Sequence, residues 1–330
     1  MIRVAINGFG RIGRVVTRAL DKHPNIQLIA INDLANTDTL AHLIKYDSVH
    51  GKFNGEVTHN DTSISLNGNV IITFQERDPA NLPWKELNID IVVESTGLFL
   101  TKELAQKHIT AGAKKVIISA PAKGTDIKTV VLGVNDDILS TEDQIISNAS
   151  CTTNAAAPLI KILNELGDIE RAFISTVHSY TNDQGLHDAP HKDLRRARAG
   201  AISIVPTSTG AAKALTKIFP KIEGKIEGYA LRVPVPDGSL IDITAFVNKD
   251  LTVETINAAF KKAADTNLKG ILEYTTDEIV SIDIVGNTHS CIFDSKLTVT
   301  NGNMVKVVGW YDNEVGYSNR VVDLIEKIGR

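Results

Sequence analysis

The residue whose type and position most suggest chemistry is Cys151, in the segment Ser147 to Asn154. A strand-like run ends just before it, and apolar residues at helical spacing follow over Ala155 to Leu166. Ser150 is then the natural N-cap, which places Cys151 on the first helical turn. Backbone N–H groups at such a position stabilise an anion, so a thiol pKa near 8.5 can fall to roughly 3.5 to 7.5. The segment predicts a thiolate nucleophile or an oxyanion site, and a buried structural cysteine is the alternative.

A second segment with chemical meaning is Gly8-Phe9-Gly10-Arg11-Ile12-Gly13, which follows a strand predicted over Ile2 to Ile6. A helix predicted over Arg11 to Lys22 and a strand over Ile26 to Ile31 complete a βαβ unit, the context that a dinucleotide fingerprint requires. Its glycines let the backbone approach a pyrophosphate at the helix N-terminus. Asp33, which ends the second strand, suits ribose hydroxyls and repels the 2′-phosphate of NADP. The series predicts a bound dinucleotide, with NAD favoured over NADP.

His178 ends the first long strand of the second half, predicted over Arg171 to Val177. An imidazole at that point could face Cys151, stabilise its thiolate and then act as a base. A histidine whose hydrogen bonds are satisfied within the core is the alternative. The presence of both residue types favours the catalytic interpretation.

Several polar groups in the second half are candidates for anion or cofactor binding. The run His191 to Arg198 is the most basic in the chain, and its turn-rich surroundings favour a loop that presents arginine to a small anion. A solvated face or an RNA-binding patch is the alternative. Thr207 to Ala212 carries hydroxyls into a helix start, either as an anion site or as plain capping. Arg232 ends another strand as a third cation, and Asn313 could hold a carboxamide or belong to a core.

Bulk properties limit the class of protein. At 330 residues the chain exceeds the size at which single cores usually stop growing, so two domains are expected. The composition of 43% hydrophobic and 22% charged residues is globular, and the net charge of −4 gives no general attraction to nucleic acid or to anionic membranes. The two cysteines, distant in sequence, allow no disulfide framework and no zinc-site spacing. A soluble, cytoplasmic protein without a metal is expected.

The remaining pattern predicts an α/β protein whose halves differ. Short apolar runs in the first half, with a helical pattern over Leu100 to Ala111, predict a parallel sheet covered on both faces. These runs are Ile89 to Glu94, Lys115 to Ser119, Thr129 to Leu132 and Gln144 to Ser147. Longer, partly alternating runs in the second half predict a mixed, largely antiparallel sheet. They are Arg171 to Val177, Lys225 to Val233, Ile241 to Val247 and Met304 to Trp310, followed by a helix over Glu314 to Ile328.

Taken together, the motifs of the chain resemble the phosphorylating glyceraldehyde-3-phosphate dehydrogenase family over essentially its whole length. They are Ile6 to Arg14, Ser95-Thr96-Gly97, Ser119-Ala120-Pro121, Ser147 to Asn154 and Trp310 to Glu314. The resemblance implies a Rossmann NAD-binding domain over residues 1–150, with the C-terminal helix 314–330 packed on it. It also implies an α+β catalytic domain over residues 151–313, and a homotetramer in which the loop around 180–200 lines a neighbour's cofactor pocket.

The resemblance also implies a reaction and the residues that perform it. The reaction is NAD-dependent oxidation of glyceraldehyde 3-phosphate to 1,3-bisphosphoglycerate with inorganic phosphate, through a hemithioacetal and a thioester on Cys151, with His178 as the base. The implied cofactor contacts are Gly8, Gly10, Arg11, Ile12, Gly13, Asp33, Arg77, Thr96, Ser119 and Asn313. Thr181 and Arg232 would hold the substrate phosphate. Ser150, Thr152, Thr209, Gly210 and Arg196 would hold the attacking phosphate, with Arg195 and Arg198 close to Arg196 in sequence.

Three positions depart from the family pattern, and two rival functions stay open. Ala155 replaces a frequent second cysteine and removes a partner for an intrachain disulfide, Val315 replaces the usual tryptophan, and Ala189 replaces a frequent leucine. An erythrose-4-phosphate dehydrogenase would share the fold and the Cys and His pair, but Ser179 to Asp183 and Thr209 to Ala212 follow the phosphorylating pattern. A non-catalytic NAD-binding regulator would have no chemical reason to retain the pair.

Overall fold

The computed structural model describes residues 1–329, which divide into two compact units. Unit 1 comprises Met1–Val130, Asp137–Ala149 and the segment from Ser318 onward, and unit 2 comprises Val131–Asp136 and Ser150–Tyr317. Arg330, the last residue of the helix expected over 314–330, lies outside the described residues. Across residues 1–329, no helix combines the length and the apolar character needed to cross a membrane.

Unit 1 is built on a nine-stranded sheet in the order β3-β4-β5-β2-β1-β6-β7-β9-β8. Its strands are β1 (Ile2–Asn7), β2 (Ile26–Asn32), β3 (Val57–Asn60), β4 (Ser63–Leu66), β5 (Asn69–Phe74), β6 (Ile91–Glu94), β7 (Lys115–Ile118), β8 (Lys128–Thr129) and β9 (Ile145–Ser147). Its helices are α1 (Arg11–Leu20), α2 (Thr37–Lys45) and α3 (Lys102–Thr110). From β5 to β8 neighbouring strands run parallel, and β3, β4 and β5 pair antiparallel at one edge.

The parallel part of this sheet confirms the fold class expected from the apolar runs. All four residues of β6 are buried, as a strand covered on both faces requires. A core cluster around the fully buried Trp84 packs on the same strands. The glycine loop between β1 and α1 and the acid after β2 therefore lie at the carboxyl edge of the sheet, where open α/β sheets bind ligands.

Two local features of unit 1 differ from expectation. The strand expected over Thr129 to Leu132 is observed at Lys128–Thr129 instead. It ends early because the residues after Val130 turn back through a Val134 N–H to Val131 C=O hydrogen bond of 3.1 Å. The β4–β5 hairpin is not among the expected elements, although β4 alternates polar and apolar residues and β5 is a mostly apolar run. Asn67 and Gly68, both with positive φ, form its turn, and Asn-Gly is a hairpin signal that the sequence does contain.

Unit 2 is built on an eight-stranded mixed sheet in the order β11-β12-β10-β13-β17-β15-β14, with β16 paired to β17. Its strands are β10 (Ile169–Ser179), β11 (Val205–Ser208), β12 (Ile226–Val233), β13 (Ser239–Val247), β14 (Leu272–Thr275), β15 (Cys291–Asp294), β16 (Val299–Asn301) and β17 (Met304–Tyr311). The helices are α4 (Cys151–Gly167), α5 (Ala211–Ile218) and α6 (Val253–Asp265), and α7 (Val315–Ile328) continues into unit 1. Among the described strands, β10–β12 and β14–β15 pair in parallel and the others antiparallel, which confirms the predicted sheet.

Candidate active site

The glycine loop of unit 1 has the geometry that a pyrophosphate site needs. Gly8 has φ +93°, and a Cβ on it would come within 2.6 Å of the Thr96 backbone nitrogen. A Cβ on Gly13 would collide with the Gly8 carbonyl oxygen, so only glycine allows α1 to start this close to the turn. A Cβ on Gly10 would meet no protein atom. The open side at Gly10 is therefore where a ligand could approach the backbone.

Asp33 stabilises the same loop through hydrogen bonds. Its Oδ2 accepts from the Phe9 N–H at 2.7 Å, and its Oδ1 accepts from the Ala35 N–H at 3.0 Å. A cavity of about 340 Å³ opens beside it. The cavity is lined by Asn7, Gly8, Gly10, Asn32, Asp33, Leu34, Glu76, Arg77, Ser95, Thr96, Leu98 and Phe99. The predicted residues Gly8, Gly10, Asp33, Arg77 and Thr96 thus share one cavity.

The other cofactor residues expected in unit 1 lie around this loop. Arg11 and Ile12 begin α1, and the Arg11 guanidinium pairs with Asp47 at 2.8 Å. Burial acts to raise the pKa of Asp47, but the N–H groups of His50 and Val49 together with Arg11 outweigh it and lower the pKa. Ser119 follows β7 and donates its N–H to the Glu94 carbonyl at 2.9 Å. The last predicted cofactor residue, Asn313, belongs to unit 2.

In unit 2, Cys151 is the first residue of α4, as its sequence context predicts. Ala149 has φ +56°, an uncommon conformation for a residue with a side chain, and it ends the turn that follows β9. Ser150 is the N-cap, and its Oγ accepts from the Thr153 N–H at 3.1 Å. Cys151 as a whole residue is partly exposed at the first turn of the helix.

The structure brings His178 and Arg232 to this thiol. The Cys151 Sγ lies 3.4 Å from His178 Nε2. His178 on β10 and Arg232 on β12 are partners in the parallel register, so both side chains come from the carboxyl ends of adjacent strands. Arg232 Nη1 lies 2.7 Å from His178 Nδ1 and donates to the Ser179 carbonyl at 2.9 Å. A thiol, an imidazole and a guanidinium therefore form one cluster.

Burial and the nearby arginine charges together set the pKa values of Cys151 and His178. Burial raises the pKa of the Cys151 thiol, although the Arg232 charge and hydrogen bonding with Thr152 act to lower it. Burial and the charges of Arg232 and Arg196 lower the pKa of His178 to about 3, against a hydrogen bond with Ser179. These shifts favour a neutral thiol beside a neutral imidazole. The lowered thiol pKa expected from the helix start alone is not observed, because desolvation outweighs the helix terminus.

Tyr311, which the sequence reasoning missed, lies behind the pair. Its hydroxyl is 3.0 Å from Thr152 Oγ1 and 2.8 Å from Thr176 Oγ1, and its ring packs edge-on against the His178 ring. Tyr311 is 1% exposed, so these hydrogen bonds satisfy a buried hydroxyl and hold Thr152 in place. In the motif Trp310 to Glu314 the sequence predicts a role only for Asn313, and Tyr311 is a further, buried part of the site.

Asn313 has a fixed side-chain orientation. Its Oδ1 accepts hydrogen bonds from Ser179 Oγ at 2.9 Å and from Ser239 Oγ at 2.7 Å. Both lone pairs of the amide oxygen are thus used, and the amide nitrogen faces the other way. Such an orientation suits a donor to a ligand carbonyl.

The residues expected to bind anions are held by local contacts. Arg196 donates through Nε to Thr207 Oγ1 at 2.9 Å and through Nη1 to Asp183 at 2.6 Å. Thr209 and Gly210 precede α5, where Thr209 Oγ1 accepts from the Ala211 N–H at 3.2 Å. Thr181 accepts the Gln184 N–H at its carbonyl. Within the basic run, Arg195 donates its backbone N–H to Asp193, and Arg198 pairs with Asp188 on an exposed face.

Comparisons with known proteins match both halves of the chain. A family model described as the glyceraldehyde 3-phosphate dehydrogenase NAD binding domain matches residues 2–102, and one described as the C-terminal domain of the same enzyme matches residues 150–313. The chain is 57% identical to a glyceraldehyde-3-phosphate dehydrogenase of Geobacillus stearothermophilus, over 98% of this chain and 97% of the relative. It is 57% identical to one of Thermotoga maritima, over 99% and 98%, and 55% identical to glyceraldehyde-3-phosphate dehydrogenase 2 of Streptomyces avermitilis, also over 99% and 98%.

Proposed function

The chain belongs to the glyceraldehyde 3-phosphate dehydrogenase family, and from that premise we propose how its residues carry out the reaction. The protein is an NAD-dependent oxidoreductase that acts on glyceraldehyde 3-phosphate. We assign cofactor binding to residues 1–150 and catalysis to residues 151–313, and the family models over residues 2–102 and 150–313 support this assignment. The assignments of single residues below are proposals that rest on the geometry of each unit.

We propose that the cavity of unit 1 holds the adenosine diphosphate half of NAD. The open side of Gly10 and the N-terminus of α1, including Arg11 and Ile12, suit the pyrophosphate, and Asp33 suits the ribose hydroxyls. Asp33 would also disfavour the 2′-phosphate of NADP, because the two negative charges would repel. The amide nitrogen of Asn313 would donate to the carboxamide. When bound, NAD supplies the acceptor for the hydride that the substrate loses.

Cys151 is the proposed nucleophile. Its thiol proton passes to His178 Nε2, 3.4 Å away, as Sγ forms a bond to the aldehyde carbon. His178 Nε2 returns this proton to the former carbonyl oxygen, so the product of this step is a hemithioacetal with a hydroxyl group, beside an imidazole that is neutral again. His178 then removes the hemithioacetal hydroxyl proton while the carbon loses its hydride, which leaves a thioester on Cys151. The backbone N–H of Cys151, at the start of α4, would stabilise the oxyanion.

Arg232 links the binding of substrate to the basicity of His178. Both Arg232 Nη1 and the Ser179 carbonyl lie 2.7 Å from His178 Nδ1. Guanidinium can only donate and a carbonyl can only accept, so the two contacts call for opposite tautomers. A substrate phosphate that binds Arg232 and Thr181 would draw the guanidinium from Nδ1. Nδ1–H then donates to Ser179, Nε2 faces the thiol as an acceptor, and the pKa of His178 rises because the nearby positive charge is neutralised.

Inorganic phosphate completes the reaction. Its oxygen attacks the thioester carbon, the C–S bond breaks, and an acyl phosphate leaves with Cys151 regenerated. We assign this phosphate to Arg196, Thr209, Gly210, Ser150 and Thr152. Of the arginines in the basic run, Arg196 is chosen because its charge acts on His178, whereas Arg198 pairs with an exposed carboxylate.

The observation that carries the proposal is the cluster of Cys151, His178 and Arg232 at the start of α4. It is tested by measuring NADH formation from glyceraldehyde 3-phosphate with phosphate, with arsenate and with neither. Turnover that requires phosphate or arsenate supports the thioester route, and equal turnover without either anion contradicts it. Erythrose 4-phosphate is assayed in parallel, and a larger kcat/KM for it than for glyceraldehyde 3-phosphate would contradict the proposed substrate.

A homotetramer and a cytoplasmic location complete the proposal. Leu186, Leu194 and Ile202 are 76%, 81% and 83% exposed around the segment 180–204, which suits burial against further copies of the chain. Light scattering after size exclusion should give four times the chain mass of 35.8 kDa, and a monomer would contradict the tetramer.

The cytoplasmic location is supported by Cys151 and Cys291, which are both free thiols, as in a reducing compartment.

A further inference from the structure

Three buried polar side chains lie next to one another at the carboxyl ends of adjacent strands in unit 1. Asn32, Asn7 and Glu94 are the last residues of β2, β1 and β6, and the strand register pairs them side by side. They are 4%, 1% and 1% exposed, and His108 of α3, at 0%, joins them. We call these four residues the polar row. Buried polar groups of this kind need partners, so their hydrogen bonds show what the row holds.

Glu94 is the centre of the row. Its Oε1 accepts from both the backbone N–H and the hydroxyl of Thr96, and its Oε2 accepts from Asn7 Nδ2 at 2.6 Å. His108 Nε2 lies 3.0 Å from Oε2. The Trp84 indole N–H donates to His108 Nδ1 at 3.0 Å, which places the imidazole proton on Nε2. Four donors therefore converge on one buried carboxylate.

The row continues from Glu94 to the opposite flank of the cavity. Asn7 Oδ1 accepts from Asn32 Nδ2 at 2.7 Å. Asn32 donates to the Glu76 carbonyl and accepts from the Glu76 N–H, both at 2.8 Å. One side chain therefore binds both backbone polar groups of Glu76. An unbroken chain of hydrogen bonds thus joins Thr96 on one flank to Glu76, the neighbour of Arg77, on the other.

We propose that the polar row is a positioning element for the dinucleotide. It fixes the Thr96 turn against Gly8 and the backbone at Glu76 and Arg77 before the cofactor arrives, which reduces the ordering that binding would otherwise require. The inference rests on the proposed function, since it takes this cavity to be the site of NAD. The row touches no reacting atom, so it acts on affinity through the loops that it holds.

Glu94→Gln tests the proposal in the full-length protein. A glutamine offers one acceptor oxygen, and its amide group meets donors from Thr96 or from Asn7 and His108. The dissociation constants of NAD and of ADP-ribose, measured by calorimetry, should each rise about tenfold or more, as expected for a lost hydrogen bond to a charged group. At saturating NAD, kcat and the KM for glyceraldehyde 3-phosphate should stay within about twofold of wild type, because Cys151 and His178 belong to unit 2.

Val92→Ala is the matched control, because Val92 is a fully buried residue of the same strand without a polar side-chain atom. It should lower the melting temperature and leave both dissociation constants near wild type. The proposal would be overturned if both variants lowered the melting temperature equally and weakened NAD binding equally. It would also be overturned if Glu94→Gln left the NAD dissociation constant unchanged. A fall in NAD affinity without one in ADP-ribose affinity would also contradict it.

Trp84→Phe decides the question if Glu94→Gln does not fold. It removes the indole N–H and frees His108 to change tautomer, so the NAD dissociation constant should rise about threefold with kcat retained. An unchanged constant would overturn the proposal. Failure of the wild-type protein to bind NAD would instead contradict the proposed function itself.

Discussion

The two cysteines of the chain occupy contrasting regions of unit 2. Cys291 begins β15, is fully buried, and packs against Gly309 so closely that a Cβ on that glycine would collide with its sulfur. Cys151 begins α4, is partly exposed, and faces His178 and Arg232. Burial raises the pKa of both thiols, and the Arg232 charge opposes it only at Cys151. We therefore expect the partners of each sulfur, rather than burial alone, to decide how reactive the two thiols are.

The largest expected difference is in turnover. Cys151→Ser should lower kcat by at least about 10³-fold, because a serine hydroxyl beside His178 is a far weaker nucleophile than a thiol. Calorimetry should show NAD binding near the wild-type affinity. Cys291→Ala is the matched control and should keep most of the activity of the folded protein. Substantial turnover by Cys151→Ser would contradict the covalent mechanism.

The next difference is in alkylation of the native protein. Iodoacetamide should label Cys151 about a hundredfold or more faster than Cys291, since Cys291 is fully buried in the core and no cation within residues 1–329 acts on its thiol. Mass spectrometry of the two peptides at increasing times measures the ratio. Unfolding in denaturant should remove this difference in labelling rate. If Cys291 of the native protein were labelled as fast as Cys151, the proposed difference between the two thiols would be wrong.

A smaller effect is expected from Arg232→Leu on the pH dependence of Cys151 alkylation. A positive charge makes loss of a proton easier from either member of the Cys151 and His178 pair, so its removal raises the apparent pKa values of the pair. The acid side of the rate profile should move to higher pH by about one unit. Arg232→Lys keeps the charge and should leave the profile closer to wild type. A shift to lower pH in Arg232→Leu would contradict the assignment.

The smallest effect concerns packing at Cys291. Gly309→Ala should lower the free energy of unfolding by about 1–3 kcal/mol, because its new methyl group overlaps the sulfur. The same change in a Cys291→Ala background should cost less, since the shorter side chain makes room. Denaturant titration of the four proteins measures this cycle. Equal losses in both backgrounds would show that Cys291 does not limit the space at Gly309.

The fold class was predictable because the two halves of the chain have different patterns of apolar residues. The short apolar runs of β1, β2, β6 and β7 indicate a covered parallel sheet, and the alternation along β13 indicates a sheet with unequal faces. The apolar pattern does not reveal β3, because three of its four residues are polar and exposed. The predicted end of the strand at Thr129 was also wrong, since a short apolar run does not reveal where a turn begins.

The site was predictable wherever function requires a backbone feature at a fixed spacing. The glycines between β1 and α1 and the N-cap before Cys151 are local signals, and the structure has the expected loop and helix start. Tyr311, Thr176 and Ser239 carry no such signal. They reach the site through strand pairing, and a buried hydroxyl in a strand resembles any other core position until its partner is known.

The sequence by itself determined the elements, the glycine loop and the placement of Cys151 on the first turn of α4, because these depend on residues within a few positions of one another. Only the tertiary structure decided that His178 and Arg232 are register partners beside that thiol, and that Asn32, Asn7 and Glu94 form one row. It also decided the sign of the thiol pKa shift. The physical reason is that desolvation and strand register depend on residues far apart in the chain, and a local pattern does not contain them.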